Sequence, residues 1–161
     1  MVLVLGIPAF PHEADLSGPH THRELTGVVT RFASGLMFFE IQGPSGWKAQ
    51  TRSVSVMKAE RMGLHQTKVG DEVIVTVDES NIIIDIHDKS GPLHGHRVLV
   101  GQLDYADPFW EVIEIHTSEG VESFAVDPVA VSKITGLKQG AYVRAELDEA
   151  NVLIDVHPYH D

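Results

Sequence analysis

Cysteine is absent from the 161-residue chain. That excludes disulfides, thiolate-bound zinc, c-type haem attachment, iron–sulfur clusters and thiol catalysis. Basic residues are scarce: 12 Lys and Arg stand against 23 Asp and Glu, a formal charge of −11 with the histidines neutral. A chain this acidic is poorly suited to neutralising phosphates, which argues against DNA, RNA and anionic membranes as partners. No apolar run approaches the roughly 20 residues that a membrane-spanning helix needs, so membrane insertion is not expected. Glycine-rich phosphate loops, dinucleotide fingerprints and nucleophile elbows are missing as well. The adjacent carboxylates Asp78/Glu79 and Asp148/Glu149 read as turn residues, and nothing nominates a nucleophile or base. The chain is therefore read as a protein that is not an enzyme.

What the chain does have is an internal repeat. Ser17-Gly18-Pro19-His20-Thr21-His22-Arg23 returns as Ser90-Gly91-Pro92-Leu93-His94-Gly95-His96-Arg97. Gly27, Glu40, Ile41 and Gly46 return at one spacing as Gly101, Glu114, Ile115 and Gly120, and Gly63-Leu64 returns as Gly136-Leu137. The stretch from Val77 to His87 matches the stretch from Leu147 to His157, with Asp78, Glu79, Asn81, Ile84, Asp85 and His87 returning unchanged as Asp148, Glu149, Asn151, Ile154, Asp155 and His157. The reading is an N-terminal extension over 1–16, a first unit over 17–89 and a second over 90–161.

Each unit reads as a small barrel. Gly27 to Phe32 and Leu36 to Ile41 are β-branched, aromatic and glycine-punctuated, as in a hairpin. Gly43-Pro44-Ser45-Gly46 is a turn into a third strand near Trp47 to Ser53. A short helix follows in each unit. In the second, Asp127 is the N-cap with Pro128 at the first helical position, and Gly136 takes the exit; in the first, Met57 to Met62 precede Gly63. Val73, Val75, Val77 and Val143, Ala145, Leu147 then form apolar faces of a fourth strand. A tight turn over Asp78 to Asn81 places Asn where left-handed backbone is needed, and a fifth strand closes the unit. The fold expected is all-β with short helices: two tandem five-stranded OB-like barrels from an internal duplication.

Gly136-Leu137-Lys138-Gln139-Gly140-Ala141-Tyr142-Val143-Arg144-Ala145-Glu146-Leu147 resembles the second half of a TOBE (molybdate-binding, Mop-type) domain, which places a short helix before a Gly-Leu-Lys-x-Gly step and two closing strands. Tandem pairs of such units occur in that family, and the resemblance would cover roughly residues 17–161. It implies an OB-like fold and oxyanion (molybdate) binding. The family's Ser-Ala-Arg-Asn opening is replaced here by His20-Thr21-His22-Arg23 and His94-Gly95-His96-Arg97, and the first unit adds His65-Gln66-Thr67.

Ten histidines are the compositional excess. H-x-H occurs at His20/His22 and His94/His96, and on extended backbone positions i and i+2 point the same way. Asp85/His87 and Asp155/His157 share a face in the same manner, with Ile82, Ile84 and Ile86, or Val152, Ile154 and Val156, opposite. If the last strand lies near the opening segment, each unit gathers His20, His22, His87 and Asp85, or His94, His96, His157 and Asp155. Sets rich in nitrogen suit Zn²⁺, Cu²⁺ or Ni²⁺, with zinc or copper as the expected ion. Both H-x-H pairs also follow Ser-Gly-Pro, which suits exposed loop residues, and that reading stands beside the metal site.

A second function class is an interaction or assembly module. Protonating all ten histidines would add ten positive charges to −11 and leave −1, relaxing self-repulsion just below neutrality. Its partner would be another protein or a second copy of the chain. Asp107-Pro108-Phe109-Trp110 offers two large aromatics beside a turn that the first unit lacks, a candidate partner-binding loop. The apolar stretch from Met1 to Phe10 resembles the tail of a signal peptide without its basic segment, which favours a periplasmic or secreted location over a cytoplasmic one.

Overall fold

The computed structural model describes residues 22–43, 48–91 and 96–159. His20, His94, Trp47, the Pro44 to Gly46 turn and the N-terminal extension lie outside the described residues. No helix among the described residues is long and apolar enough to cross a membrane.

Two five-stranded antiparallel sheets repeat one plan. In the first unit β1 (Arg23–Ala33), β2 (Leu36–Ile41) and β3 (Gln50–Ser55) form a meander, α1 (Val56–Arg61) follows, and β4 (Glu72–Val77) and β5 (Ile83–Asp88) close the unit. The second unit runs β6 (Arg97–Asp107), β7 (Val112–Thr117), β8 (Gly120–Ala125), a 3₁₀ turn (Pro128–Ala130), α2 (Val131–Thr135), β9 (Tyr142–Leu147) and β10 (Leu153–Pro158). The sheet orders β3-β2-β1-β4-β5 and β8-β7-β6-β9-β10 are the same. In the second unit a parallel bridge joins Val126 to Leu153, bringing the end of the third strand onto the fifth and curling the sheet. These are two OB-like barrels in tandem.

Local chemistry explains most of the elements. Ser34 (φ 53°) and Gly35 (φ 76°) form the two-residue turn between β1 and β2, with both residues left-handed as right-twisted hairpins require. Asn81 and Asn151 carry φ of 64° and 60° in the β4–β5 and β9–β10 turns. There Asp78 Oδ1 accepts from the Ser80 and Ile82 amides, and Asp148 Oδ1 from those of Ala150 and Val152. Asp127 caps its helix through the Val129 amide; Ser55 does the same for α1 through Lys58. The two helix exits differ: Gly63 is left-handed at φ 95°, whereas Gly136 sits at φ −90° in ordinary right-handed backbone.

Two expectations shift in register. Val29 pairs with Phe39 and Leu103 with Ile115, so the partner of Glu40 and Ile41 is displaced by two residues from Glu114 and Ile115. The cause is a longer second hairpin loop, residues 108–111 instead of 34–35; a shift of two keeps every side chain on its face. The fifth strands also depart from simple alternation. Ladder shifts put a bulge at Ile84 and at Ile154, so Ile83 and Leu153 are buried where Ile82 and Val152 were expected. Leu153 enters the second unit's core, while Ile154 packs into the first unit's core with Ile84 and Ile86. The bulge thereby re-aims one apolar side chain across the junction and sinks the following aspartates, Asp85 and Asp155, into the seam between the units.

Candidate metal centre at the seam

The opening histidines stand immediately before β1 and β6, and both turn into the seam. Each meets the closing strand of the other unit. His22 Nε2 is 2.7 Å from Asp155 Oδ2, and His96 Nε2 is 2.9 Å from Asp85 Oδ2. The grouping expected within one unit, His22 with Asp85 and His87 and His96 with Asp155 and His157, is therefore exchanged between units. His157 Nε2 lies 3.0 Å from the same Asp155 oxygen. His22, Asp155 and His157 each offer one ligand atom, and these atoms all lie within 4.8 Å of one another. On the other side of the seam His87 Nδ1 is 3.7 Å from Asp85 Oδ2, a looser arrangement.

Glu146 stands between the two equivalent histidines. Its Oε2 is 3.4 Å from His22 Nδ1 and its Oε1 is 2.7 Å from His96 Nδ1. A carboxylate behind Nδ1 fixes the ring orientation and leaves Nε2 to face Asp155, the arrangement seen behind many histidine ligands. The corresponding place on β4 is Thr76, because Thr76 pairs with Asp85 as Glu146 pairs with Asp155.

Cations on the two helices cross the seam reciprocally. Arg61 Nε, on α1, is 2.6 Å from Asp148 Oδ2, and Lys133 Nζ, on α2, is 2.6 Å from Asp78 Oδ2. Arg61 also pairs with Asp127, which receives Lys58 at 3.2 Å, and Lys133 also binds Asp155 Oδ1 and lies 3.8 Å from Glu79. Thus each turn aspartate uses one oxygen for its own turn and the other for the neighbouring unit. Lys58, Arg61, Lys133, Glu146 and the second oxygens of Asp78, Asp127 and Asp148 carry no sequence signal beyond the repetition of the aspartates.

The seam's electrostatics follow from this packing. Burial alone would lower the His96 pKa, yet the close ion pair with Asp85 and the hydrogen bond to Glu146 outweigh it and push it up to about 10. His22 moves the same way: burial opposes its charge, but Asp155 and Glu146 prevail over burial and over Arg144. Both imidazoles therefore hold their protons more tightly than an ordinary histidine, whose pKa lies near 6.5. Burial raises Asp155, but His157, His22 and Lys133 hold it below the usual carboxylate range, and His96 does likewise for Asp85. Lys58, the most enclosed of the cations, is lowered by burial despite Asp127. Asp78, Glu79, Asp85, Asp127, Glu146, Asp148 and Asp155 outnumber Lys58, Arg61 and Lys133, which pair with them, together with Arg144, whose charge reaches His22. The seam therefore calls for further positive charge, which imidazolium or a metal ion can supply.

Compared with family models and with curated proteins, the chain matches none.

Proposed function

We propose that this is a non-enzymatic binding protein that holds one divalent transition metal ion, zinc or copper, at the seam through His22 Nε2, His157 Nε2 and Asp155 Oδ2. One observation carries the reading: one ligand atom from each of these three residues, drawn from both units, lies within 4.8 Å of the others. Glu146 behind His22 supports it as the group that orients the ring. Lys133 occupies the other Asp155 oxygen and so leaves a single oxygen as ligand. The carboxylates around the histidines favour a cation over the molybdate-type oxyanion that the TOBE resemblance implies. Metal competes with protons for both imidazoles, so affinity falls on acidification. The test is calorimetric titration of tag-free protein with Zn²⁺ and Cu²⁺. About one ion per chain, lost in His22→Ala and in His157→Asn and kept in the exposed-site variant His65→Ala, supports the site. No binding tighter than tens of micromolar, or binding kept in the His22→Ala/His157→Asn double variant, overturns it.

A second reading rests on the His96 clamp between Asp85 and Glu146. In it the protonated histidines themselves are the seam's cations, and the protein is an interaction module whose two barrels are held together by charge. Its signature is a pH-dependent stability that chelators leave untouched. A stability profile that responds to chelator and not to His96→Asn rules it out.

A further inference from the structure

The β6–β7 hairpin carries a feature that the seam does not use. Its loop is two residues longer than that of the β1–β2 hairpin, and the loop holds Phe109 and Trp110, which are 82% and 72% exposed. Their rings sit edge to face, centroids 5.0 Å apart. The loop beneath them is tied down. Asp107 Oδ1 accepts from the Phe109 and Trp110 amides at 2.9 and 3.1 Å, and the Tyr105 hydroxyl donates to Asp107 Oδ2 at 2.8 Å. Two large aromatics thus stand in water on a backbone already fixed, which is how a recognition loop lowers the entropy cost of binding.

The charge along this hairpin is of one sign. Between Arg97 and Lys133 the sequence contains no lysine or arginine, while Asp104, Asp107, Glu111 and Glu114 lie in the loop and its flanking strands. The first hairpin shows what is missing. There Arg31 pairs with Phe38 across the strands and its guanidinium lies 4.1 Å from the Phe38 ring centre. In the second hairpin the same cross-strand position is Tyr105 opposite Glu114. One hairpin carries its own cation over its aromatic ring; the other presents aromatic rings and carboxylates with no cation of its own at that place.

We infer that the β6–β7 loop docks a cationic segment of a partner protein, with a lysine or arginine side chain lying over Phe109 and Trp110 within the field of Glu111 and Glu114. The face takes a positively charged chain rather than an apolar one, because an uncharged helix would leave the carboxylates facing it without counter-charge. This surface is independent of the metal site.

The experiment uses the full chain and a synthetic peptide alternating six arginines with glycine, titrated by calorimetry, with a citrulline version as the uncharged control. The expected result is binding to the arginine peptide only. It weakens at least tenfold in Phe109→Ser/Trp110→Ser, which leaves the charge at −11, and weakens also in Glu111→Gln/Glu114→Gln. Binding that is unchanged by the aromatic substitutions reflects attraction to an acidic protein at large and overturns the inference. Two further outcomes overturn it: self-association in sedimentation that the aromatic substitutions abolish, which makes the occupant a second copy, and aromatic-dependent binding to phosphatidylcholine vesicles, which makes it a lipid surface.

Discussion

The two units share strand order, bulge positions and closing turns, and they differ in what stands on that frame. In the first unit the helix begins at Ser55, a neutral cap, and offers Lys58 and Arg61; in the second the cap is Asp127, which receives both of those cations. Thr76 holds in the first unit the position that Glu146 holds in the second. A single glutamate serves both opening histidines. A second one in place of Thr76 would add a like charge beside Asp85, so the difference between the units removes a repulsion that strict repetition would impose. Repetition places the backbone, and divergence distributes the charge.

The largest break in this comparison comes from the caps. Asp127→Ala strips Lys58 and Arg61 of a buried partner and is expected to cost about 3–5 kcal/mol, whereas Ser55→Ala removes only a cap and costs about 1 kcal/mol. The shift of the urea midpoint for each variant measures both. Next is Glu146→Thr, which makes the second unit like the first; losing the hydrogen bond to the charged His96 ring and the 3.4 Å ion pair with His22 is expected to cost about 2 kcal/mol and to lower the His96 pKa, readable by NMR titration of the ring protons. The pH profile sharpens the same point. A histidine raised to about 10 in the folded chain contributes stability that is full below about 6.5 and fades as pH rises through about 10. The lowered aspartates, Asp85 and Asp155, contribute above about pH 4 and lose that contribution on acidification. Melting temperature in the presence of chelator should therefore be highest between these limits and decline toward pH 10, with a flatter decline in His96→Asn.

Smaller differences separate the equivalent glycines. A Cβ at Gly101 would meet the His116 carbonyl oxygen and Ile115 Cγ2, each at 2.6 Å, while one at Gly27 would meet the edge of Phe39 at 3.1 Å. Gly101→Ala is expected to cost about 1–3 kcal/mol and Gly27→Ala clearly less, by the same denaturant measurement. Least of all is Lys89→Ala. It breaks a half-exposed pair with Glu72, and a change below about 0.5 kcal/mol is expected.

The strands, the capping aspartate and the left-handed asparagines were legible because each is decided within a few residues: alternation, Asp-Pro at a helix start, Asn in a tight turn. The exchange of histidines was not. Asp85-x-His87 and Asp155-x-His157 are chemically the same, so the sequence offers His22 two identical partners and no basis for choosing. That choice is made by tertiary packing, through the bulged strands that meet at the seam. The two-residue shift in β7 escaped for a related reason. Glu40-Ile41 and Glu114-Ile115 are identical pairs, and alternation survives a shift of two. A turn role for Asp78 and Asp148 accounts for one oxygen of each and not for the other, which pairs with a cation of the neighbouring unit.

Ile154, which belongs by sequence to the second barrel and by packing to the core of the first, has a consequence for engineering. Reciprocal contacts such as Arg61 with Asp148 and Lys133 with Asp78 are those that two copies of a single barrel make in a twofold dimer. The two units are thus joined in one chain as the protomers of such a dimer are held apart in two. Fusion raises the local concentration of each half for the other, and it frees the halves to carry different residues at one shared position. A barrel cut out at the repeat boundary would then not be a smaller version of this protein. It would be a monomer with an apolar gap where Ile154 had been, seeking another copy to fill it.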